Sequence, residues 1–378
     1  MTTDLQFHGA HLDAERITAT LDHLLQRNLA LAEQGERGTP VCIWGLHGIG
    51  KTALVQEFAA RQDPPWKLAY CAPAQFEEMG DLHGLPTRVD PDPTVAGNEY
   101  TTFLPPDWVP TEEGPGILLI DDINRADDRI LRGLMQLLQN FEMFSWSLPP
   151  KWQIVATANP EGGDYSVTPM DDAMLTRMLH LTMEFDVKAW AAWAVRAGVD
   201  PRGIDFVLTY PEVVTGRRST PRSLCQFFSS IQEIPDLRAE LGLVSVLAQA
   251  CLDEITVTSF VAYVRDHLQT LIQPQEILGA KSFASIRKRL KALATGKDGE
   301  RRVDRLATIC TRLYLHLARE EYTPEPKHSK NLISFMLVED LPQDLRFMLH
   351  RDLVALKRPA LTEMLEDSRL ATLILAGI

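Results

Sequence analysis

The chain has 378 residues, of which 45% are hydrophobic and 24% are charged. These proportions are typical of an ordinary globular protein, and the length predicts two or three domains. The formal net charge of −13 argues against a protein that coats nucleic acid by bulk electrostatics, because such binding needs a basic surface that displaces counterions. A local basic surface is compatible with this net charge.

The five cysteines are scattered and include no C-x-x-C pair, which predicts reduced, buried thiols and argues against a disulfide frame or a zinc site. The histidines have no metal-ligand spacing, so no metal site is expected among them. The first residues contain no basic segment followed by an apolar one, and no run approaches the roughly 18 apolar residues of a membrane span. We therefore expect a cytoplasmic protein without a membrane partner.

The first half of the chain alternates predicted strands and helices. Apolar residues with helical spacing between His11 and Glu36 predict an N-terminal helical segment, residues 1–38. Apolar runs then predict five strands separated by helices, an alternation typical of a parallel sheet with helices on both faces. The strands are predicted at residues 41–44, 66–71, 117–120, 152–157 and 178–185, within a core of residues 39–186.

The connections of this core are uneven in length. Helices are predicted at residues 53–60 and 126–140, and a hairpin is one interpretation of residues 141–148. The stretch 73–115 is rich in Pro, Gly and Asp and is too long for a plain connection, so part of it is expected to be a working loop. Beyond the core, helical spacing dominates and predicts two further regions, residues 187–271 and residues 272–378.

The most informative motif is G-L-H-G-I-G-K-T at residues 45–52, which fits G-x-x-x-x-G-K-[ST] between a predicted strand and a predicted helix. Glycines permit positive φ, so several backbone N–H groups can point at a polyphosphate beside a helix N-terminus. Lys51 can reach the β- and γ-phosphates of ATP, and the Thr52 hydroxyl can bind Mg²⁺. The predicted ATP-binding residues are Gly45, His47, Gly48, Ile49, Gly50, Lys51, Thr52 and Ala53.

Polar residues follow two other predicted strands. Asp121, at the tip of the third strand, would hold Mg²⁺, and Asp122 lies where a general base for the attacking water belongs. Asn159 follows the fourth strand and could orient that water or contact the γ-phosphate. The plainer alternatives are a helix cap for the two aspartates and a turn for Asn159 and Pro160.

Five segments occur in the order seen in AAA+ ATPases and resemble most closely the MoxR and dynein-related (midasin-like AAA) branch. In that branch the Walker B run continues into Asn-Arg-Ala, the sensor strand ends in Asn-Pro, and a later L-x-x-A-x-L-x-R segment carries an arginine finger. The segments lie within roughly residues 40–230 and are the loop at 45–52, D-D-I-N-R-A at 121–126, A-T-A-N-P at 156–160, M-D-D-A-M-L-T-R at 170–177 and S-T-P-R-S-L at 219–224.

The resemblance implies a fold and an activity. The fold would be an α/β AAA+ module, with a parallel five-stranded P-loop sheet flanked by helices, then a helical lid at 187–271 and the mainly helical region 272–378. The module would form a homo-oligomeric ring, expected to be a hexamer, that binds ATP and Mg²⁺ at subunit interfaces. Hydrolysis would drive chaperone-like remodelling or activation of a partner protein, which in this branch frequently has a von Willebrand factor A domain.

The resemblance also implies a role for each matching residue of the core. Lys51 and Thr52 correspond to Walker A, and Asp121 and Asp122 correspond to Walker B. Asn159 corresponds to sensor 1, which would contact the γ-phosphate or the attacking water.

Two arginines receive roles from the same resemblance. Arg177 would be the finger that reaches the nucleotide of the next subunit, and Arg222 would be sensor 2 on the lid, with Arg217 and Arg218 as close rivals. An arginine suits both tasks because it keeps its charge and its guanidinium fork matches phosphate oxygens. A surface arginine exposed to water is the plainer interpretation of each.

The sequence departs from the branch at the second Walker B residue, where Asp122 stands in place of the usual glutamate. An aspartate is one methylene shorter, and displacing a base by about 1 Å can lower a rate a hundredfold. Slow hydrolysis, or turnover only with a partner, is therefore expected.

Residues 75–86 resemble the loop after the second strand that faces the pore in this branch. Residues 141–150 resemble its helix-2-insert or pre-sensor loop region. Phe144 and Trp146 in the second segment could grip a client, and ordinary packing is the plainer interpretation of both.

Two alternative functions are open at this point. A nucleic-acid motor of the McrB type also shares the D-I-N-R run, but the net charge of −13 and the lack of an N-K-x-D guanine motif count against it. The second alternative is a regulatory ATP-binding scaffold with low turnover, which Asp122 suggests. We therefore do not expect nucleic acid as a partner. Basic residues such as Arg287, Lys288 and Arg301 are interpreted as solvated faces of amphipathic helices.

Overall fold

The structure is a computed structural model that describes residues 5–92, 94, 97–162, 166–215, 218–266, 272–295, 302–319 and 322–375. The chain divides into two compact units, Met1–Asp186 and Val187–Ile378. Within the described residues, no helix has both the length and the apolar character required to cross a membrane.

The first unit contains ten strands and five α-helices in its described residues. Two 3₁₀ turns, Pro73–Gln75 and Ile123–Arg125, complete it. In chain order the elements are β1 (Ala10–Leu12), α1 (Ala14–Glu33), β2 (Val41–Trp44), α2 (Lys51–Arg61), β3 (Lys67–Cys71), α3 (Met79–His83), β4 (Leu85–Val89), β5 (Tyr100–Leu104), β6 (Gly116–Ile120), α4 (Asp128–Asn140), β7 (Glu142–Met143), β8 (Trp146–Ser147), β9 (Trp152–Ala158), α5 (Asp172–Leu175) and β10 (Leu179–Met183).

A parallel sheet organises this unit, with the strand order β1-β10-β2-β9-β6-β3. Every residue of β2, β6 and β9 is buried, as expected for central strands covered on both faces. Alternate residues of β6 point to opposite faces, so Leu118 packs with Leu134 of α4 and Leu119 packs with Val55 of α2. The carboxyl ends of β2, β6 and β9 are therefore brought side by side.

The sequence predicts the fold class and five of these strands, and the structure confirms both. It corrects the strand number, because the sheet has a sixth strand, β1, at its edge. The sequence prediction places His11 at the start of a helix, whereas His11 lies in β1 and α1 begins at Ala14. The sequence did not predict β1 because its three residues are mostly exposed and form no apolar run.

The long stretch between β3 and β6 is more ordered than a plain loop. It contains α3 and an antiparallel pair, β4 with β5, in which Leu85 faces Leu104. Residues 141–148 form the expected hairpin, in which β7 pairs with β8. Trp146 is buried and its Nε1 donates a hydrogen bond to the His83 carbonyl, whereas Phe144 is exposed. Trp146 is thus a packing residue, whereas the exposed ring of Phe144 lies against His83 and Phe103.

The second unit is helical throughout its described residues. The Arg312 Nε of one helix lies 2.7 Å from the Asp205 Oδ1 of another, a buried ion pair that joins the two predicted helical regions within this unit. A 3₁₀ turn spans Pro211–Thr215. The helices are α6 (Val187–Arg196), α7 (Pro201–Thr209), α8 (Pro221–Ile231), α9 (Leu241–Cys251), α10 (Glu254–Asp266), α11 (Pro274–Leu278), α12 (Phe283–Ala294), α13 (Val303–Leu317), α14 (Pro326–Met336), α15 (Gln343–Ala355), α16 (Pro359–Met364) and α17 (Ser368–Leu375).

The basic residues of α12 lie on its exposed side. Arg287 and Lys288 are exposed, while Ile286 and Leu290 are buried in the core of the second unit. This arrangement is that of an amphipathic helix with a solvated polar face. Arg301 lies outside the described residues.

Candidate nucleotide-binding site

The glycine-rich loop connects the end of β2 to the start of α2. Gly48 and Gly50 have φ of 69° and 109°, in the left-handed region that glycine adopts without a steric penalty. Gly50 is the N-cap of α2, and no side chain of the described residues caps this helix end. The N-terminus of α2 therefore lies at the end of the glycine loop, where its N–H groups and the helix dipole would attract an anion.

The Lys51 side chain is folded into this loop and is only 5% exposed. Its Nζ donates to the Gly45 carbonyl at 2.9 Å, to the Leu46 carbonyl at 3.2 Å and to the Asn159 Oδ1 at 3.2 Å. All three of these acceptors are uncharged. Because a buried ammonium is stabilised best by an anionic partner, phosphate oxygens in the loop would be favourable ligands for Lys51.

Asp121 lies directly after β6 and collects three hydroxyl donors. Its Oδ1 accepts hydrogen bonds from the Thr52 Oγ1 at 2.6 Å and from the Thr157 Oγ1 at 2.7 Å. Its Oδ2 accepts one from the Tyr70 hydroxyl at 2.9 Å. Burial, together with the hydrogen bond to Asp121, raises the pKa of Tyr70 to about 12, so this phenol is a donor at neutral pH.

The pair formed by Thr52 and Asp121 fits Mg²⁺. This ion prefers oxygen ligands, and it is usually held by one or two protein groups together with water and substrate phosphates. Here a hydroxyl oxygen and a carboxylate oxygen already lie 2.6 Å apart beside the glycine loop. These two residues would hold the ion, which would neutralise phosphate charge when bound.

Asp122 has a left-handed backbone, with φ of 48°. Its N–H donates to the Thr157 Oγ1 at 2.8 Å, and its Oδ1 accepts a hydrogen bond from the Asn159 Nδ2 at 2.9 Å. Its Oδ2 lies 3.2 Å from the Arg125 Nε. Asn159 thereby contacts Lys51 with its oxygen and Asp122 with its nitrogen, and joins the lysine of the glycine loop to the candidate base.

A reciprocal pair of hydrogen bonds fixes the position of Asn159. The Asn124 Nδ2 donates to the Asn159 carbonyl at 2.8 Å, and the Asn159 N–H donates to the Asn124 Oδ1 at 3.0 Å. Both residues are fully buried. The turn after β6 and the tip of β9 are therefore tied together at the level of Asp122.

The candidate arginine finger lies just before β10. The Arg177 Nε donates to the Gln139 Oε1 at 3.1 Å, and its guanidinium also contacts the Ala173 carbonyl. Nearby, His180 accepts a hydrogen bond from the Trp44 Nε1 at 2.9 Å, and its Nε2 lies 2.7 Å from the Leu175 carbonyl. Burial lowers the pKa of His180, so the neutral ring links the strand before the glycine loop to the segment that carries Arg177.

The candidates for sensor 2 lie in the second unit. Arg222 is exposed at the start of α8, behind the N-cap Thr220. The Arg218 Nη2 donates to the Ala250 carbonyl at 3.1 Å. Arg217 lies outside the described residues. The assignment of Arg222 as sensor 2 stays a prediction.

The remaining predicted loop residues differ in what their side chains do. His47 and Ala53 are exposed beside the loop, whereas the Ile49 side chain is buried in the core and leaves only its backbone for a nucleotide.

Sequence reasoning assigned no role to four residues that the structure places at the site. Asn124, Arg125 and Thr157 lie inside the motifs D-D-I-N-R-A and A-T-A-N-P, so their place in these motifs could have indicated that they belong to the site. Tyr70 had no motif and is found only because β3 neighbours β6.

The fold and this arrangement of glycine loop, lysine and metal-binding oxygens define a P-loop nucleotide-binding domain. The family model of the AAA domain, dynein-related subfamily, matches residues 40–178. This part of the chain is therefore an AAA+ ATPase domain.

Solved structures with partial similarity belong to several proteins. A mutant RuvB from Thermotoga maritima is 18% identical, with 84% of this chain and 94% of that chain covered and a TM-score of 0.38. NtrX from Brucella abortus is 13% identical, with 89% of this chain and 68% of that chain covered and a TM-score of 0.36. At these TM-scores the similarities say nothing about the function of this chain.

We predict that Asn124→Ala lowers both stability and catalysis. Two buried backbone groups of Asn159 lose their partners, which costs about 1–3 kcal/mol in the free energy of unfolding, measured by urea denaturation. Because Asn159 holds Asp122, the ATPase kcat should also fall, by at least about tenfold, with less change in ATP affinity.

Asn28→Ala is the matched control, because Asn28 makes the same reciprocal pair with the Thr39 backbone. It should lose similar stability and keep the wild-type kcat. Equal kcat values for the two variants would contradict the role given to Asn124.

Proposed function

We propose that this protein is a Mg²⁺-dependent ATPase of the MoxR and dynein-related branch, which works as a ring, a hexamer by analogy, and remodels or activates a partner protein. The observation that carries the proposal is the convergence at the carboxyl ends of β2, β6 and β9. There Lys51, the Thr52–Asp121 pair and the Asn159–Asp122 pair meet in a single hydrogen-bonded network.

Each group of this network has a task in hydrolysis. The loop N–H groups and Lys51 bind the polyphosphate, and Thr52 with Asp121 holds the ion that offsets its charge. Asn159 orients the attacking water, and Asp122 takes its proton as the water oxygen bonds to the γ-phosphorus and ADP leaves.

A neighbouring subunit completes the site in this proposal. Arg177, in the turn after α5, contacts the side chain of Gln139 and the backbone of that helix, and belongs to no part of the Lys51 network within the described contacts. A guanidinium placed at the end of α5 would act on the nucleotide of the next subunit, which makes the active site a property of the ring.

The partner is proposed from the branch alone. A protein with a von Willebrand factor A domain fits a ring that does mechanical work on a folded client. Asp122, shorter than glutamate and already paired with Arg125 and Asn159, supports a slow basal rate that a client would raise.

ATP binding at the glycine loop is tested by isothermal titration. Lys51→Ala should abolish ATP binding, whereas Lys67→Ala, which removes an exposed ion pair with Glu112 at the far end of the sheet, should not.

A site shared between subunits is tested by mixing variants. Lys51→Ala and Arg177→Ala should each hydrolyse ATP poorly. A 1:1 mixture should recover about a quarter of the wild-type rate, because a quarter of random neighbour pairs join an intact Lys51 to an intact Arg177.

The matched control is a mixture of Lys51→Ala with Asp122→Asn, whose defects lie on the same side of the interface. No neighbour can repair either defect, so this mixture should stay inactive. If the first mixture also stays inactive although the subunits exchange, the finger in trans is wrong.

The partner is tested by trapping. Asp122→Asn loaded with ATP and Mg²⁺ should retain a protein with a von Willebrand factor A domain, identified by mass spectrometry. Lys51→Ala, which cannot bind ATP, should not retain it. Recovery of nucleic acid in place of such a protein would favour the McrB-like alternative.

A further inference from the structure

The candidate base is held on both of its oxygens. Asn159 donates to the Asp122 Oδ1 at 2.9 Å, and Arg125 lies 3.2 Å from the Asp122 Oδ2. Arg125 ends the 3₁₀ turn Ile123–Arg125, whose N-cap is Asp122 itself, so the ion pair closes over a single turn. The left-handed backbone of Asp122 aims its side chain back along this turn.

We propose that Arg125 is a positioning residue that restrains Asp122 in a low-turnover arrangement. An attacking water must lie against a free lone pair of the carboxylate in order to pass its proton to it. The guanidinium occupies the outer side of the carboxylate, where the Oδ2 lone pairs would otherwise meet that water. Hydrolysis then requires Arg125 to move aside. This inference rests on the proposed ATPase function.

The solvent exposure of the Arg125–Asp122 ion pair limits how much it can change the rate of hydrolysis. The side chains of Arg125 and Asp122 are 43% and 36% exposed, so water competes for both. An exposed pair is weak enough to open and close readily, and its release should raise the rate by no more than about fivefold. A client or neighbouring subunit that offers Arg125 another carboxylate would have the same effect.

The restraint also bears on the short base. A glutamate at position 122 would extend past the turn by one methylene, whereas the aspartate stays within reach of Arg125. Asn159 connects this same carboxylate to Lys51.

The test compares kcat and KM for ATP in three variants at saturating Mg²⁺. Arg125→Ala should raise basal kcat by about two- to fivefold and leave KM and nucleotide affinity unchanged. Arg125→Lys, which restores a cation, should return kcat toward the wild-type value. Arg129→Ala is the matched control, because Arg129 makes an exposed ion pair with Asp127 in the next helix, and it should change nothing.

The outcomes separate this inference from the proposed function. An unchanged or lower kcat in Arg125→Ala would overturn the restraint, as would a loss of folding or of nucleotide binding, since Arg125 would then be a structural support. The restraint would also be overturned if Arg125→Lys raised kcat as much as Arg125→Ala does. A wild-type protein that hydrolyses no ATP under any condition would refute the function itself.

Discussion

The site depends on the burial of one ammonium group. Lys51 lies inside the loop that it belongs to, and carbonyl and amide oxygens from Gly45, Leu46 and Asn159 hold it there. Burying a charge is costly unless strong partners surround it, so the loop must keep its shape for the lysine to stay in place. Glycines at 48 and 50 make that shape possible, and a polyphosphate would supply the anionic oxygens that the lysine favours.

From Lys51 the contacts pass outward through Asn159. Its side-chain amide accepts a hydrogen bond from Lys51 and donates one to Asp122, while Asn124 hydrogen-bonds to its backbone. One side chain, that of Asn159, thus separates Lys51 from the candidate base. Beside this chain of contacts, three hydroxyl groups hold Asp121, the candidate metal ligand, through both of its carboxylate oxygens. The glycine loop, the two candidate aspartates and Asn159 thus all follow the ends of neighbouring strands in one sheet.

The sequence predicted the parts of this site that local patterns encode. The glycine loop, the carboxylates after β6 and the polar tip of β9 follow from apolar runs that end in polar residues, and the parallel sheet follows from their alternation. The sequence did not predict the contacts of Tyr70 and Arg125. The contact of Tyr70 depends on which strand neighbours β6, and that of Arg125 depends on the left-handed backbone of Asp122. Neither feature is visible in residue spacing. The edge strand β1 was missed because its three residues carry no apolar pattern.

The most direct test of the account is the structure of the assembled protein with Mg²⁺ and a non-hydrolysable ATP analogue. We expect the analogue in the loop at residues 45–52, with the Lys51 Nζ moved from the Gly45 and Leu46 carbonyls to phosphate oxygens. The metal ion should lie beside Thr52 and Asp121, and Arg177 of a neighbouring subunit should approach the γ-phosphate. An analogue bound elsewhere, or a Lys51 that keeps both carbonyl contacts with the analogue present, would contradict the account.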